Sequence, residues 1–366
     1  MSPTTAPTLQ TASRQSGEPL LQVTDLRTHF RTERGLVRSV DGVSFTLDRG
    51  KSLGIVGESG SGKTVLSRSV MGLLPRMNTE RSGSVVFEGR ELVDMPLKQR
   101  RAIWGAEMSM IFQDPMTSLN PVMKIGRQIG ESLQLHLGMS RSAARETALK
   151  LLQDVRIPEP AKRLDQYAFE LSGGMRPRVM IALALACGPA LLFADEPTTA
   201  LDVTVQAQIL DLIGVQRRER NMSVVLVTHD LGVVAGHTDE IMVMYGGRMV
   251  EKAPTKVLFS SMKMPYTEAL LRSIPRIEDP SHTRLNVIPG RPPDLVNPPR
   301  GCRFAPRCAV AQSRCHEEEP PLTVAEHPEH LYACWYPVGS PTHRSAMAVT
   351  TNGTATTNGT TTRSDA

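Results

Sequence analysis

Two short stretches of the 366-residue sequence carry residues suited to binding phosphate: GESGSGKT at 57–64 and LSGGM at 171–175. In the first, Gly57, Gly60 and Gly62, interleaved with Ser59 and Ser61, let the backbone bend around phosphate oxygens. Lys63 supplies a point charge and Thr64 a hydroxyl for Mg²⁺. In the second, Ser172, Gly173 and Gly174 lead into a helical pattern, so that backbone N–H groups and the positive helix end can face an anion. The second loop has no lysine. Between the second loop and the C-terminus, ALLFADEP ends a hydrophobic run in Asp195 and Glu196. A strand-end carboxylate beside a phosphate loop is where a second Mg²⁺ contact arises, so Asp195 is read as a metal ligand and Glu196 as the base that orients or deprotonates the attacking water. His229 closes SVVLVTHD and is expected at the same sheet edge.

These groups need elements to hold them. SLGIVG precedes the first glycine loop and a helix-length segment from Lys63 to about Leu74 follows, the strand–loop–helix context that such a loop requires. LQVTDLRTHF, SGSVVFEG and AEMSMIFQDP also read as strands, and ALLFAD, SVVLVTHD and EIMVMYGG as three more with helical segments between them. Alternation of this kind implies an α/β fold with a mainly parallel sheet covered on both faces. From about Ile125 to Ala168 apolar residues recur at helical spacing in a charged background, a helical insert. Beyond Pro275 periodicity is lost and proline, arginine, cysteine and histidine become dense, so a small loop-rich region is expected to about residue 337.

Composition excludes several classes. Aromatics are 4% of the residues, too few for a base-stacking surface, and the formal charge of +5 is scattered rather than gathered in a stripe, which argues against nucleic acid as a partner. The N-terminal stretch has no apolar centre and does not read as a secretory signal, and the most apolar run, Val179–Ala194, is broken by Gly188-Pro189. Residues 1–19 and 338–366 read as disordered.

GESGSGKT, FQDP with Gln113, LSGGM, LLFADEP, TALD with Asp202 and VTHD, in this order, resemble the ATP-binding subunits of ABC transporters over about Leu21 to Ser261. The resemblance implies a P-loop core with an antiparallel β subdomain and a helical subdomain (about 120–172) within an ATP-binding domain at 20–274. It implies ATP hydrolysis across a head-to-tail dimer in which Ser172, Gly173 and Gly174 bind the γ-phosphate held by the partner's loop; the lysine comes from the other chain. By the same resemblance Gln113 contacts Mg²⁺ and couples the site to membrane subunits, Asp202 contacts the opposite phosphate loop, His229 senses the γ-phosphate, and Phe30 is the candidate to stack on adenine. The family's LSGGM-R-Q-R reads with Pro177 in place of glutamine here; counted from Ser172 as N-cap, Pro177 is the fifth helical residue, where a missing N–H and ring crowding should displace the loop.

The region at 275–337 looks like the C-terminal region of oligopeptide/dipeptide permease ATPases. This implies import of oligopeptides or dipeptides, with nickel complexes or oligosaccharides as alternative cargo. The implied partners are two transmembrane permease subunits, a second and related ATPase subunit forming a heterodimer, and an extracytoplasmic solute-binding protein; the implied location is the cytoplasmic face of the membrane, peripherally bound. A soluble ABC ATPase acting on nucleic acid is the alternative from another class. Cys302, Cys308, Cys315 and Cys334 fall in a segment with little apolar periodicity, at intervals of five, six and eighteen residues that fit no common zinc ribbon. In a reducing compartment thiolate ligation is favoured over disulfides, and a [4Fe–4S] cluster is expected, with Zn²⁺ as alternative and structural thiols as the remaining reading. Cys187 belongs with the structural reading.

Overall fold

The computed structural model describes residues 18–113, 118–198, 202–274 and 288–346. Residues 1–17 of the expected lead-in, 347–366 of the expected tail, Asp114 and Pro115 of FQDP, and Thr199 to Leu201 of TALD lie outside them. The part of the tail at 338–346, expected to be disordered, is instead packed on the domain: the N–H of Val338 donates to the carbonyl oxygen of Lys263 at 2.8 Å, and the buried His343 lies 3.1 Å from Glu268 Oε2.

Two sheets organise the chain. A four-stranded antiparallel sheet has the order β2 (Gly35–Leu47), β1 (Leu21–Thr32), β4 (Thr79–Phe87), β5 (Arg90–Glu91). The second sheet is built on five parallel strands in the order β9 (Glu240–Tyr245), β3 (Ser52–Val56), β8 (Ser223–Thr228), β7 (Leu191–Asp195), β6 (Met108–Ile111). Antiparallel β10 (Arg248–Pro254) extends it beyond β9, and β12 (Leu331–Tyr332) and β11 (Thr323–Val324) follow.

Every residue of β3, β7 and β8 is buried, as an uninterrupted apolar run between two covered faces requires. Strand alternation then divides their side chains. Leu53, Ile55, Leu191, Phe193, Val225 and Val227 face a core shared with the antiparallel sheet and the helix Lys63–Met71. Val56, Leu192, Ala194, Val224 and Leu226 face the other core, built with the helices of the middle of the chain. A register slip of one residue would exchange these two sets, so the edge carrying Asp195 and Thr228 is fixed by packing far from it.

The expected helical insert is present as helices Ile125–Leu137, Arg141–Asp154 and Pro160–Arg163, with a 3₁₀ turn at Ala168–Glu170. Ser140 caps the second of these, its hydroxyl accepting from the N–H of Ala143 at 3.2 Å. The helix after the second glycine loop spans Met175–Ala184 rather than starting beside Ser172. Pro177 is therefore its third residue, in the first turn where backbone N–H groups have no partner within the helix, and the ring is buried. That placement removes the interior cost expected from counting at Ser172. The C-terminal region contains little regular structure, as expected, but it is not separate: β12 pairs with β10 at Glu251–Tyr332 and Lys252–Leu331. Strands of two residues are too short for periodicity to reveal.

Candidate functional site

β3 delivers the chain into the 57–64 loop beside the turn that joins β9 to β10. Gly57 has φ 154° and a Cβ there would lie 2.2 Å from the carbonyl oxygen of Met244. At Gly62, φ is 101° and a Cβ would lie 2.2 Å from the carbonyl oxygen of Ser39. Both close approaches exclude a side chain, and they press the loop against its own sheet. A Cβ on Gly60 would meet nothing within 4 Å, so that part of the loop is open to a ligand. The side chain of Lys63 is buried and turns back into the loop, its Nζ donating to the carbonyl oxygens of Gly57 at 2.7 Å and Glu58 at 3.0 Å. Burial lowers its pKa, against the opposing pull of Glu196, Asp195 and Glu58. A cation held between backbone carbonyls is a site prepared for anionic oxygen.

The next residue, Thr64, donates its hydroxyl to Asp195 Oδ1 at 2.9 Å, joining the first turn of the helix to the end of β7. Asp195 is fully buried, and its other oxygen, Oδ2, has no hydrogen-bond partner. Burial raises the pKa of this carboxyl, while the Thr64 hydrogen bond and the charge of Arg68 oppose the rise. A buried, unpartnered carboxylate oxygen next to a threonine hydroxyl is a donor set of the hard oxygen type that Mg²⁺ takes, and Asp195 and Thr64 fit that ion.

Glu196 follows directly, with φ 46°, a left-handed conformation that a non-glycine residue adopts at a cost. Its N–H donates to the carbonyl oxygen of Val227 at 2.9 Å, tying the turn to β8. The strained backbone directs the carboxylate toward two other expected residues. Gln113 Nε2 donates to Glu196 Oε2 at 3.0 Å, and His229 Nδ1 lies 3.4 Å from Glu196 Oε1. The Glu196 side chain is 12% exposed and that of His229 58%. Residues from β3, β6, β7 and β8 thus meet at the C-terminal edge of one parallel sheet, the usual place for a ligand in open α/β folds.

The remaining expected residues lie outside this cluster. Ser172 and Gly173 are exposed, Gly174 is half-buried, and the loop is anchored from behind by Arg176, whose Nε donates to the carbonyl oxygen of Ala168 at 3.1 Å. Asp202 caps the helix Val203–Arg220, accepting from the N–H of Val205 at 2.9 Å. Phe30 is half-buried on β1 opposite Val37 and Thr79.

Two participants escaped sequence reasoning. Glu58, inside the first glycine loop, is paired in a bidentate contact with Arg307, 249 residues away. Asp41 on β2 is 3% exposed and is surrounded by Arg303, Arg27, Arg248 and His29. Burial favours its neutral form, but the hydrogen bond from Arg303 and the surrounding charge hold its pKa below the usual carboxylate value. Acidic Glu58 within a phosphate-type loop was a legible anomaly; its partner was not.

The expected [4Fe–4S] cluster requires correction. Cys302, Cys308, Cys315 and Cys334 do line one narrow apolar cavity, with Met264 and Phe304 among its walls. Yet among the described residues no group of three or more histidine, cysteine, aspartate or glutamate side chains is placed to hold a metal ion. Burial pushes the thiol of Cys308 up to about 11 and that of Cys334 up to about 12, and raises Cys302. Cys302, Cys308 and Cys334 pack as small apolar side chains on the edge of the core, as Cys187 does, and Cys315 is buried. The same finding leaves the zinc alternative without support.

Residues 40–199 match the ABC transporter family, and residues 250–315 match the oligopeptide/dipeptide transporter C-terminal region. The oligopeptide transport ATP-binding protein OppD of Haemophilus influenzae is 50% identical over 87% of this chain and 97% of its own length. The dipeptide transport ATP-binding protein DppD of Bacillus subtilis is 48% identical over 87% of this chain and 95% of its own. Among solved structures, a dimeric ATP-binding cassette, MJ0796, captured with ADP and phosphate after hydrolysis, superposes with a TM-score of 0.58 at 24% identity, covering 64% of this chain and 98% of that one. The latter similarity is one of fold.

Proposed function

Since the chain belongs to the ATP-binding subunits of ABC transporters, of the oligopeptide/dipeptide type, we propose that it hydrolyses ATP to power import of short peptides through a membrane transporter. The observation that carries the reading is the convergence of Lys63, Thr64, Asp195, Glu196, Gln113 and His229 at one sheet edge beside an open glycine loop. Lys63 and the N–H groups of the 57–64 loop bind the β- and γ-phosphates of ATP. Thr64 and Asp195 would hold Mg²⁺, with Gln113 beside them, and the ion would supply neutralisation of charge on the transferred phosphoryl group. Glu196 accepts the proton of the attacking water, and Gln113 and His229 fix its carboxylate so that the water is oriented before the reaction. His229, exposed at the rim, is placed to meet the γ-phosphate.

Ser172, Gly173 and Gly174 serve the other subunit. Ser172 and Gly173 are exposed, Gly174 is half-buried, and all three stand apart from the Lys63 cluster of their own chain, which supports a head-to-tail pairing in which they reach the γ-phosphate bound by the partner, with Asp202 at the same seam. The partner is a related ATPase, giving a heterodimer, and Phe30 stacks on the adenine. No helix among the described residues is long and apolar enough to cross a membrane. By its membership of the transport ATP-binding subunits, the chain is assigned to the cytoplasmic face, docked on two permease subunits that receive solute from an extracytoplasmic binding protein.

The test is co-purification from mild detergent, followed by reconstitution with ATP on the side of this chain. A transporter that takes up labelled oligopeptides or dipeptides, and whose ATPase rate rises with peptide-loaded binding protein, supports the reading. Stimulation by nickel complexes or oligosaccharides and not by peptides would refute the substrate assignment.

A further inference from the structure

The cluster described above accounts for the inner face of the 57–64 loop. Its outer face is held chiefly by residues of the C-terminal region that have no part in that cluster. Arg307, in the 3₁₀ turn Ala305–Arg307, is buried, and both terminal nitrogens of its guanidinium reach Glu58, at 2.6 Å to Oε2 and 2.9 Å to Oε1. The guanidinium is held on every side: Nε donates to the carbonyl oxygen of Pro289 at 2.8 Å, Nη2 to that of Ile288 at 3.2 Å, and Nη1 to the hydroxyl of Tyr245 at 3.2 Å. The N–H of Glu58 itself donates to the hydroxyl of Tyr266 at 2.8 Å. Tyr266, Tyr245 and Phe304 pack as three rings with centroids 4.6 to 5.2 Å apart, a rigid base for both contacts. Four residues before Arg307, Arg303 donates to the carbonyl oxygen of Gly246, and the neighbouring Gly247 N–H donates to that of Ser61 at 2.9 Å.

Two physical consequences follow. A carboxylate in a loop that is to receive a triphosphate repels its ligand unless neutralised, and a bidentate guanidinium both neutralises Glu58 and fixes its direction. The backbone of residue 58 is moreover held at two points, its N–H by Tyr266 and its carbonyl by Lys63. We infer that Arg307, with Tyr266, is a positioning residue for ATP binding: the C-terminal region clamps the phosphate loop through Glu58 and cancels the charge that would otherwise oppose the nucleotide. This rests on the 57–64 loop being the phosphate site proposed above.

The experiment is titration of the full-length chain with a fluorescent ATP analogue and Mg²⁺, together with KM and kcat for ATP. Arg307→Ala should weaken binding and raise KM by at least about tenfold, as loss of one partner of a buried ion pair does, with kcat within about threefold of wild type. Adding Glu58→Gln to Arg307→Ala should restore KM to within about threefold of wild type, because the uncompensated charge is gone. A merely structural arginine would show no such recovery. If Arg307→Ala fails to fold, Arg307→Gln, which keeps N–H donors but no charge, should give the same shift and the same recovery. Wild-type affinity in the Arg307 variant, or no recovery on adding Glu58→Gln, overturns the inference. Lys63→Ala is the control: if it too binds like wild type, the loop assignment falls and the inference with it, whereas loss in Lys63→Ala alone condemns only the role of Arg307.

Discussion

Replacement of Glu196 by glutamine separates the chemistry of the site from its architecture. The amide is nearly isosteric with the carboxylate, keeps an acceptor for Gln113 Nε2, now 3.0 Å from Oε2, and leaves the backbone N–H bond to Val227 untouched. The left-handed backbone at φ 46° costs the same for either residue, so the melting temperature should stay within about 2 °C of wild type. What is lost is the proton acceptor. A positioned general base contributes about a hundredfold to ten-thousandfold, or roughly 2.7 kcal/mol and upward in activation free energy. Steady-state ATPase of the reconstituted transporter should therefore fall by at least about a hundredfold while affinity for a fluorescent ATP analogue is retained. Turnover within about tenfold of wild type, with folding intact, would refute Glu196 as the base. So would a parallel loss of nucleotide binding, which would make the residue part of the pocket and not of the reaction.

Asp41→Asn should cost about 3 kcal/mol or more at neutral pH, the scale of breaking a buried ion pair. Because the Asp41 pKa is depressed in the fold, its stabilisation is present above the unfolded value of about 4 and is lost as pH falls through the folded value. The stability gap between wild type and variant should therefore be level from pH 5 to 8 and close below about pH 4 in denaturant titrations. Pro177→Gln, at a first-turn position, should change stability by less than about 1 kcal/mol and leave ATPase within about twofold; a larger fall in both would show that the turn is adapted to the ring. At pH 8 the raised thiol pKa values of Cys308 and Cys334 should make alkylation at least about tenfold slower than for free cysteine, with rates recovering on unfolding, as mass spectrometry can follow.

Local sequence carried the strands and the chemistry at their ends because both are written in contiguous residues. β3, β7 and β8 are unbroken apolar runs, and the acids, histidine and glycines sit where those runs stop. The meeting of Gln113, Glu196 and His229 follows from parallel order in one sheet. Contacts that depend on a distant segment folding back were invisible: Arg307 on Glu58, and Arg303 on Asp41, which is 262 residues away. The start of the helix that follows the second glycine loop was not legible, because a turn at Gly173 and Gly174 delays the first helical residue to Met175. The cysteines were misread because a dense spacing of thiols looks the same in sequence whether they bind metal or pack. The placement of the side chains relative to one another, which decides between those fates, is a property of the whole fold.

The span from Glu58 to Arg307 also bears on how the protein is made. A ribosome adding about 5–20 residues per second needs roughly 12 to 50 s to synthesise the 249 residues that separate the two. Through that interval the nascent chain holds a complete glycine loop whose acidic residue has no counter-charge. Nascent subunits should therefore bind nucleotide poorly until the last segment emerges and docks. Docking of the segment around Arg307, after the five parallel strands are complete, would then mark the moment at which the subunit can first be loaded with ATP.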